Sequence, residues 1–206
     1  MLTLALVRHG ETDWNREGRV MGWASVVINA TGRAQIEQLA ERLKSAPILA
    51  IYTSPITRAM ESAEILAAPL GLTPISDERW TETKITGWEG KLWSELAGHP
   101  IRERYYAAPT EVRLPDGEMF FEVEQRTAAA AASLAERHSN NLADELVLVV
   151  SHADPIRAVV SHYLGLALAE SRHFKVDHGH LTLLEIEKDV GALRLLNAPP
   201  ELVRLP

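Results

Sequence analysis

Two arginines and two histidines stand where apolar runs end. Arg8 and His9 follow Leu4-Ala5-Leu6-Val7, Arg58 comes shortly after Ile48-Leu49-Ala50-Ile51-Tyr52, and His152 follows Leu146 to Val150 across Ser151. Each run reads as a strand buried on both faces. In open α/β sheets, ligands bind beyond the carboxyl ends of the strands, so segments distant in sequence converge there. Helical side chains lean toward their own N-terminus, which would carry the Arg58 guanidinium back over the strand end. Two arginines and two histidines around one point make a poor core and a good phosphate cradle, because guanidinium forks match phosphate oxygens bidentately.

The elements that must position these residues are legible from periodicity. Ile36, Leu39, Ala40 and Leu43 fall at i, i+3, i+4 and i+7, with Thr31 as the expected cap of that helix. Ser54-Pro55 predicts the start of a second helix, with Ala59, Ala63, Leu66 and Leu70 inward, stopping before Gly71. A short third strand at Leu72 to Ile75 follows. Regularity then lapses from about Asp77 to Gly117, a stretch that holds Trp80, Trp88, Trp93, Tyr105 and Tyr106 and predicts a cap insertion. A long helix resumes near Glu118, a further one begins at Asp154-Pro155, and two alternating strands at Leu181 to Ile186 and Ala192 to Leu196 close the chain. The expected fold is a three-layer α/β/α sandwich: a mostly parallel central sheet, helices on both faces, and a cap near residues 77–117. No linker is apparent, so residues 1–206 are expected to form one domain.

Composition narrows the chemistry. The 206 residues contain no cysteine, which excludes disulfides, thiol nucleophiles, thiolate zinc sites and iron–sulfur clusters. A formal charge of −7 argues against general nucleic-acid binding, so any anion site is locally basic on an acidic background. No apolar run reaches the roughly 20 residues of a membrane-spanning helix. A cytoplasmic protein without membrane or nucleic-acid partners is expected.

Leu6-Val7-Arg8-His9-Gly10-Glu11-Thr12 with Asn15, Ser54-Pro55-Ile56-Thr57-Arg58-Ala59, Glu82 with Trp88-Glu89-Gly90, Gly117-Glu118, and Val150-Ser151-His152 with Ile156-Arg157 resemble, in that order, the motifs of the histidine phosphatase (phosphoglycerate mutase-like) superfamily. The resemblance implies that His9 is a transiently phosphorylated nucleophile and Glu82 the proton donor. It also implies that Arg8, Arg58 and His152 bind the transferring phosphoryl group, with Asn15 assisting and Gly10, Glu11, Thr12 and Ala153 in the substrate site. Phosphoryl transfer asks mainly for an in-line nucleophile and neutralised equatorial oxygens, which Arg8, Arg58 and a protonated His152 would supply. The second ring N–H of His9 should be held by an acceptor such as a nearby backbone carbonyl. A basic alkoxide leaving group needs a proton, and Glu82 has the chemistry to give it.

The implied activity is metal-independent hydrolysis of a small phosphorylated metabolite, without a cofactor; a homodimer is expected by fold analogy. The alternatives are a cofactor-dependent mutase of the same superfamily and a non-catalytic phospho-ligand binder. Thr86-Gly87-Trp88-Glu89-Gly90 resembles the phosphatase branch, and the chain lacks the longer insertion of the glycolytic mutases. Departures from the pattern include Met21, Ser25 and Val27 in the first loop, Thr86 and Ala153 at usual glycines, and Met119 at a usual serine. His178 and His180 have alternating spacing that could suit a metal, but without an apparent third ligand. Arg102 and Arg104 would suit a second anionic group on the substrate.

Overall fold

The computed structural model describes residues 1–138 and 145–203. Among them β1 (Leu2–Arg8), β2 (Ile48–Thr53), β3 (Ile75–Ser76), β4 (Leu146–Ser151), β5 (Leu181–Glu187) and β6 (Val190–Ala198) form one sheet in the order β3-β2-β4-β1-β5-β6. Neighbours from β3 to β1 are parallel; β5 runs antiparallel to β1, and β6 to β5. β1 and β4 lie at the centre, and their unbroken apolar runs are buried nearly throughout, as strands covered on both faces require.

Alternation along those strands divides the core into two layers. Leu4, Leu6, Val147 and Val149 pack under α5 (Phe120–Arg137) and α6 (Ala153–Leu164), meeting Ala131, Leu134, Ile156 and Val159. Ala5, Val7, Leu148 and Val150 face α2 (Ala30–Leu43) and α3 (Thr57–Ala67), meeting Ile36, Leu39, Ala63 and Leu66. Each fully buried aliphatic side chain contributes roughly 1.5–3 kcal/mol, so both layers anchor the central strand ends firmly. The sandwich expected from periodicity is present. The chain leaves β1 toward α2 on one face and leaves β4 into α6 on the other, so the adjoining carboxyl ends of β1 and β4 border a crevice.

Local details depart from expectation. Asn29, not Thr31, caps α2, its side chain accepting from the Gly32 N–H at 2.8 Å. α3 begins at Thr57 with Ile56 in the capping position, two residues after the expected cap Ser54, whose hydroxyl accepts the Ile56 N–H at 3.2 Å ahead of the helix. The third strand is only Ile75–Ser76, overlapping the expected Leu72 to Ile75 at Ile75 alone. The irregular stretch packs on its own small core, where Ile85, Trp88, Leu96, Tyr105 and Leu114 meet Phe120 and Val123 from α5. Two short helices, α1 (Asp13–Glu17) and α4 (Pro100–Tyr105), flank its cavity. Trp80 leaves the cap, being fully buried in the main core with Tyr52, Val149 and Leu134. No helix among the described residues is long and apolar enough to cross a membrane.

Candidate active site

Strand register brings the two histidines together. β1 and β4 pair with Arg8 opposite Ser151, so His9 and His152 are the next residues on each strand, and the His9 N–H donates to the Ser151 carbonyl at 3.0 Å. Their rings meet edge-on with centroids 5.1 Å apart. β2 lies against the other side of β4, Thr53 opposite Val150, so the chain enters α3 beside them. Arg58, the second residue of α3, then donates from Nε to His9 Nε2 at 3.2 Å. His9, Arg58 and His152 are all buried.

The hydrogen bonds assign the ring nitrogens. His9 Nδ1 lies 2.7 Å from the Gly10 carbonyl, which only accepts, so Nδ1 carries the proton and Nε2 keeps its lone pair. Burial first, and Arg58 next, hold the imidazole pKa well below the usual histidine range. His9 is therefore a neutral base whose Nε2 lone pair accepts from Arg58 Nε. Gly10 is held in turn by the Ser62 hydroxyl at 3.1 Å, and a Cβ on Gly10 would run into the Gly32 backbone.

His152 Nε2 lies 2.8 Å from Ser54 Oγ, which already accepts the Ile56 N–H at 3.2 Å. The Ser54 hydroxyl hydrogen is thus available to Nε2, leaving Nδ1 protonated; Nδ1 is buried and has no partner. Burial and the charges of Arg58 and Arg8 push the His152 pKa well down. The expected protonated His152 is corrected to a neutral donor, because two guanidinium groups already charge the site. Those two stay cationic: burial lowers Arg8 and Arg58 to about 10, while Glu82 opposes the shift at both. Arg8 donates to the Val176 carbonyl at 2.7 Å, and Arg58 to the carbonyls of Gly22 at 2.8 Å and Ala24 at 3.1 Å.

Glu82 faces this cluster from the cap side. Burial and the neighbouring Asp154 carboxylate raise its pKa to about 7, against the pull of the Thr83 N–H, Arg58 and Arg8. A carboxylic acid so placed can both give and recover a proton near neutrality. Its backbone carbonyl accepts from Trp23 Nε1 at 2.7 Å and Arg126 Nη2 at 3.0 Å. Arg126 pairs with Glu118, whose other oxygen takes the Lys84 N–H at 2.9 Å. This gives Gly117-Glu118 a physical role: a Cβ on Gly117 would overlap the Lys84 carbonyl, and Glu118 fixes the segment that carries Glu82.

A cavity of about 190 Å³ opens above Arg8 and Glu82. Asn15, Ala153, Asp154 and Arg157 line it with Trp88, Trp93, Arg102, Tyr105 and Tyr106. Asn15 uses Oδ1 to accept the Thr12 N–H, leaving its amide nitrogen free of protein acceptors among the described residues. Ala153 is not among the non-glycine residues with positive φ, so its methyl is accommodated without backbone strain. Asp154 accepts from Tyr106 at 2.9 Å, Thr83 at 3.2 Å and Arg157 at 3.3 Å.

Gly10, Glu11 and Thr12 have work elsewhere and do not line the cavity. The Glu11 N–H goes to Gln35 and its carboxylate to Asn29, while Thr12 caps α1. These contacts hold the loop that follows His9. Ser54, Ser62, Arg126 and Asp154 were not legible as site residues. Asp154, an acid immediately after the second histidine motif, and Ser54, inside the motif that carries Arg58, left a signal in the sequence; Ser62 and Arg126 left none.

The family model for the histidine phosphatase superfamily, branch 1, matches residues 4–199. Phosphoserine phosphatase 1 of Hydrogenobacter thermophilus is 29% identical over 96% of this chain and 92% of its own length. A probable phosphoglycerate mutase, GpmB, of Klebsiella pneumoniae is 35% identical over 84% of this chain and 80% of its own. Among solved structures, a mycobacterial glucosyl-3-phosphoglycerate phosphatase in complex with VO3 superposes with a TM-score of 0.88 at 26% identity, covering 96% of this chain and all of that one. With its site built at the joined ends of β1, β4 and β2, the chain belongs to the histidine phosphatase superfamily.

Proposed function

We propose that the protein hydrolyses phosphomonoesters of small metabolites through a phosphohistidine at His9, without a metal ion. One observation carries this reading: the His9 Nδ1 bond to Gly10 leaves Nε2 as a buried lone pair beside Arg58, with Glu82 poised near pH 7 across the same site. Nε2 attacks phosphorus, and Arg8, Arg58 and His152 take up the charge on the equatorial oxygens. Glu82 protonates the departing ester oxygen, and the alcohol occupies the cavity under the cap. Water then attacks the phosphohistidine, with the Glu82 carboxylate accepting its proton and restoring the starting state. The guanidinium pair supplies the charge neutralisation that magnesium supplies in other phosphoryl-transfer sites.

Release of inorganic phosphate should be measured from nitrophenyl phosphate, phosphoserine, phosphoglycerates and sugar phosphates, with and without chelator. Hydrolysis that survives chelation is expected. An alkaline quench after brief exposure to labelled substrate should trap a base-stable, acid-labile phosphoprotein, and His9→Ala should abolish it along with at least about four decades of turnover. Isomerised phosphoglycerate without phosphate release would identify a mutase. Labelling that persists in His9→Ala would sink the assignment.

A further inference from the structure

We infer that His178, on the turn before β5, is a further phosphoryl-binding side chain, donating a hydrogen bond from Nε2 to the group that His9 accepts. The inference rests on the phosphohistidine reading above. Its ring packs against His9, with centroids 5.5 Å apart and planes inclined by 52°. Nε2 is buried and has no partner, a costly arrangement for a ring nitrogen unless it has something to bind. Among the described residues, the buried unpartnered side-chain nitrogens are Arg8 Nε, His152 Nδ1, His178 Nε2 and Trp80 Nε1. Three of these four belong to residues that adjoin His9, and a transferring phosphoryl group presents three non-bridging oxygens.

The turn is fastened as a site demands. Gly179 N–H donates to the Arg8 carbonyl at 2.9 Å, and Arg8 Nη1 returns a bond to the Val176 carbonyl at 2.7 Å. From the far side, Asn197 takes the Asp177 N–H at 2.7 Å and donates to the Asp177 carboxylate at 2.8 Å. Gly179 sits at φ +67°, a conformation that favours glycine, which sets His178 against β1. The two histidines of the alternating motif therefore part company. His180 is used by the fold, its Nδ1 lying 3.0 Å from the Asn197 carbonyl, whereas His178 is left with an unassigned nitrogen beside the nucleophile.

Burial and Arg8 depress the His178 pKa to about 3, so the ring adds a dipole and no charge. That distinction suits the position. Arg8 and Arg58 already draw electron density from His9, and a third cation would weaken the nucleophile further, while a neutral N–H can solvate an oxygen without that cost. The proton stays on His178 throughout, and no bond to it forms or breaks.

The test compares His178→Ala, His178→Asn and His178→Gln. The glutamine amide nitrogen reaches about where Nε2 stands, and the asparagine amide falls short. Orthovanadate binding by calorimetry and single-turnover phosphorylation by nitrophenyl phosphate would be measured beside Tm. Alanine and asparagine should weaken vanadate binding and slow phosphorylation by a common factor of roughly ten or more, as loss of a hydrogen bond to a charged group does, and glutamine should recover most of it. If alanine fails to fold, the asparagine and glutamine pair decides. Unchanged vanadate affinity in alanine or asparagine, or equal losses in asparagine and glutamine, would overturn the inference and leave His178 as packing. A wild-type protein that neither binds vanadate nor turns over any phosphomonoester would instead bring down the phosphatase reading, and this inference with it.

Discussion

The two ends of the site are built differently. At the phosphoryl end, His9, Arg58 and His152 emerge from neighbouring strand ends, and their polar atoms are held largely by main-chain carbonyls and buried serines. At the leaving-group end, Tyr106, Asp154, Thr83 and Arg157 hold one another through side-chain bonds, while Trp93 and Arg102 are partly open to solvent. Backbone-anchored groups are fixed by the sheet itself, so their geometry survives changes in the cap. Side chains anchored to side chains can be exchanged one at a time, which suits a wall that reads the alcohol part of a substrate. The comparison ranks the residues: substitutions at the sheet end should be severe and indifferent to the leaving group, and those at the cap end mild and selective.

Arg58 offers the most severe break. Its guanidinium spans His9 Nε2 and the carbonyls of Gly22 and Ala24, a fork that an ammonium cannot reproduce. Arg58→Lys should cost several hundredfold in kcat/KM, about 3–4 kcal/mol at roughly 1.4 kcal/mol per decade, on aryl and alkyl phosphates alike. Near-normal kinetics would show that the backbone-anchored end is less exacting than its geometry implies.

Glu82 stands where the two ends meet, and its loss should depend on the leaving group. Glu82→Gln should slow single-turnover phosphorylation by alkyl phosphates by roughly 10²–10³, because an alkoxide cannot leave unprotonated. The loss with nitrophenyl phosphate should be much smaller, since its phenolate leaves without a proton. The pH profile carries the sign. With its pKa raised to about 7, Glu82 is the acid below that pH and loses its proton above it, so wild-type phosphorylation by alkyl phosphates should fall as pH rises through about 7. The glutamine variant should lack that limb. Equal losses for both leaving groups would reduce Glu82 to a shaping role.

What was legible in the sequence divides along the same line. The runs before Arg8 and His152 are apolar on every residue, so strands buried on both faces, and the residues at their ends, could be read directly. Arg58 was legible through its place at a helix start. The support was not: Ser54 near His152 looked like a helix cap, and nothing in Ser62 says that its hydroxyl holds Gly10. Such partners are set by how strands and helices close on each other in space, and they leave no periodic trace. Trp80 shows the converse failure. It shares an irregular stretch with the cap aromatics, yet it is drawn into the main core, and its carbonyl accepts the buried Ser151 hydroxyl at 2.6 Å.

The mildest effects should come from two arginines that the sequence treats alike. Arg102 and Arg104 both lie on α4, but Arg102 lines the cavity, its guanidinium 5.8 Å from the Trp93 ring and only loosely near Glu103 at 3.9 Å. Arg104 is absent from the cavity lining and pairs with Glu111 at 3.2 Å. Under the phosphatase reading, Arg102 is a cap-wall cation placed to meet a carboxylate on the alcohol part of a substrate. Because its side chain is 36% exposed, water screens the interaction, and about 1 kcal/mol is the most it should contribute. Arg102→Ala should lower kcat/KM for phosphoserine or 3-phosphoglycerate roughly fivefold, mostly through KM. Nitrophenyl phosphate, which has no second anion, should be nearly unaffected, and Arg104→Ala should change neither. Uniform losses in Arg102→Ala across both substrate types would mean that the side chain supports the cap instead of reading the substrate. A matching loss in Arg104→Ala would show that the whole basic face of α4 acts at a distance, and the division between anchored and exchangeable ends would have to be redrawn to include it.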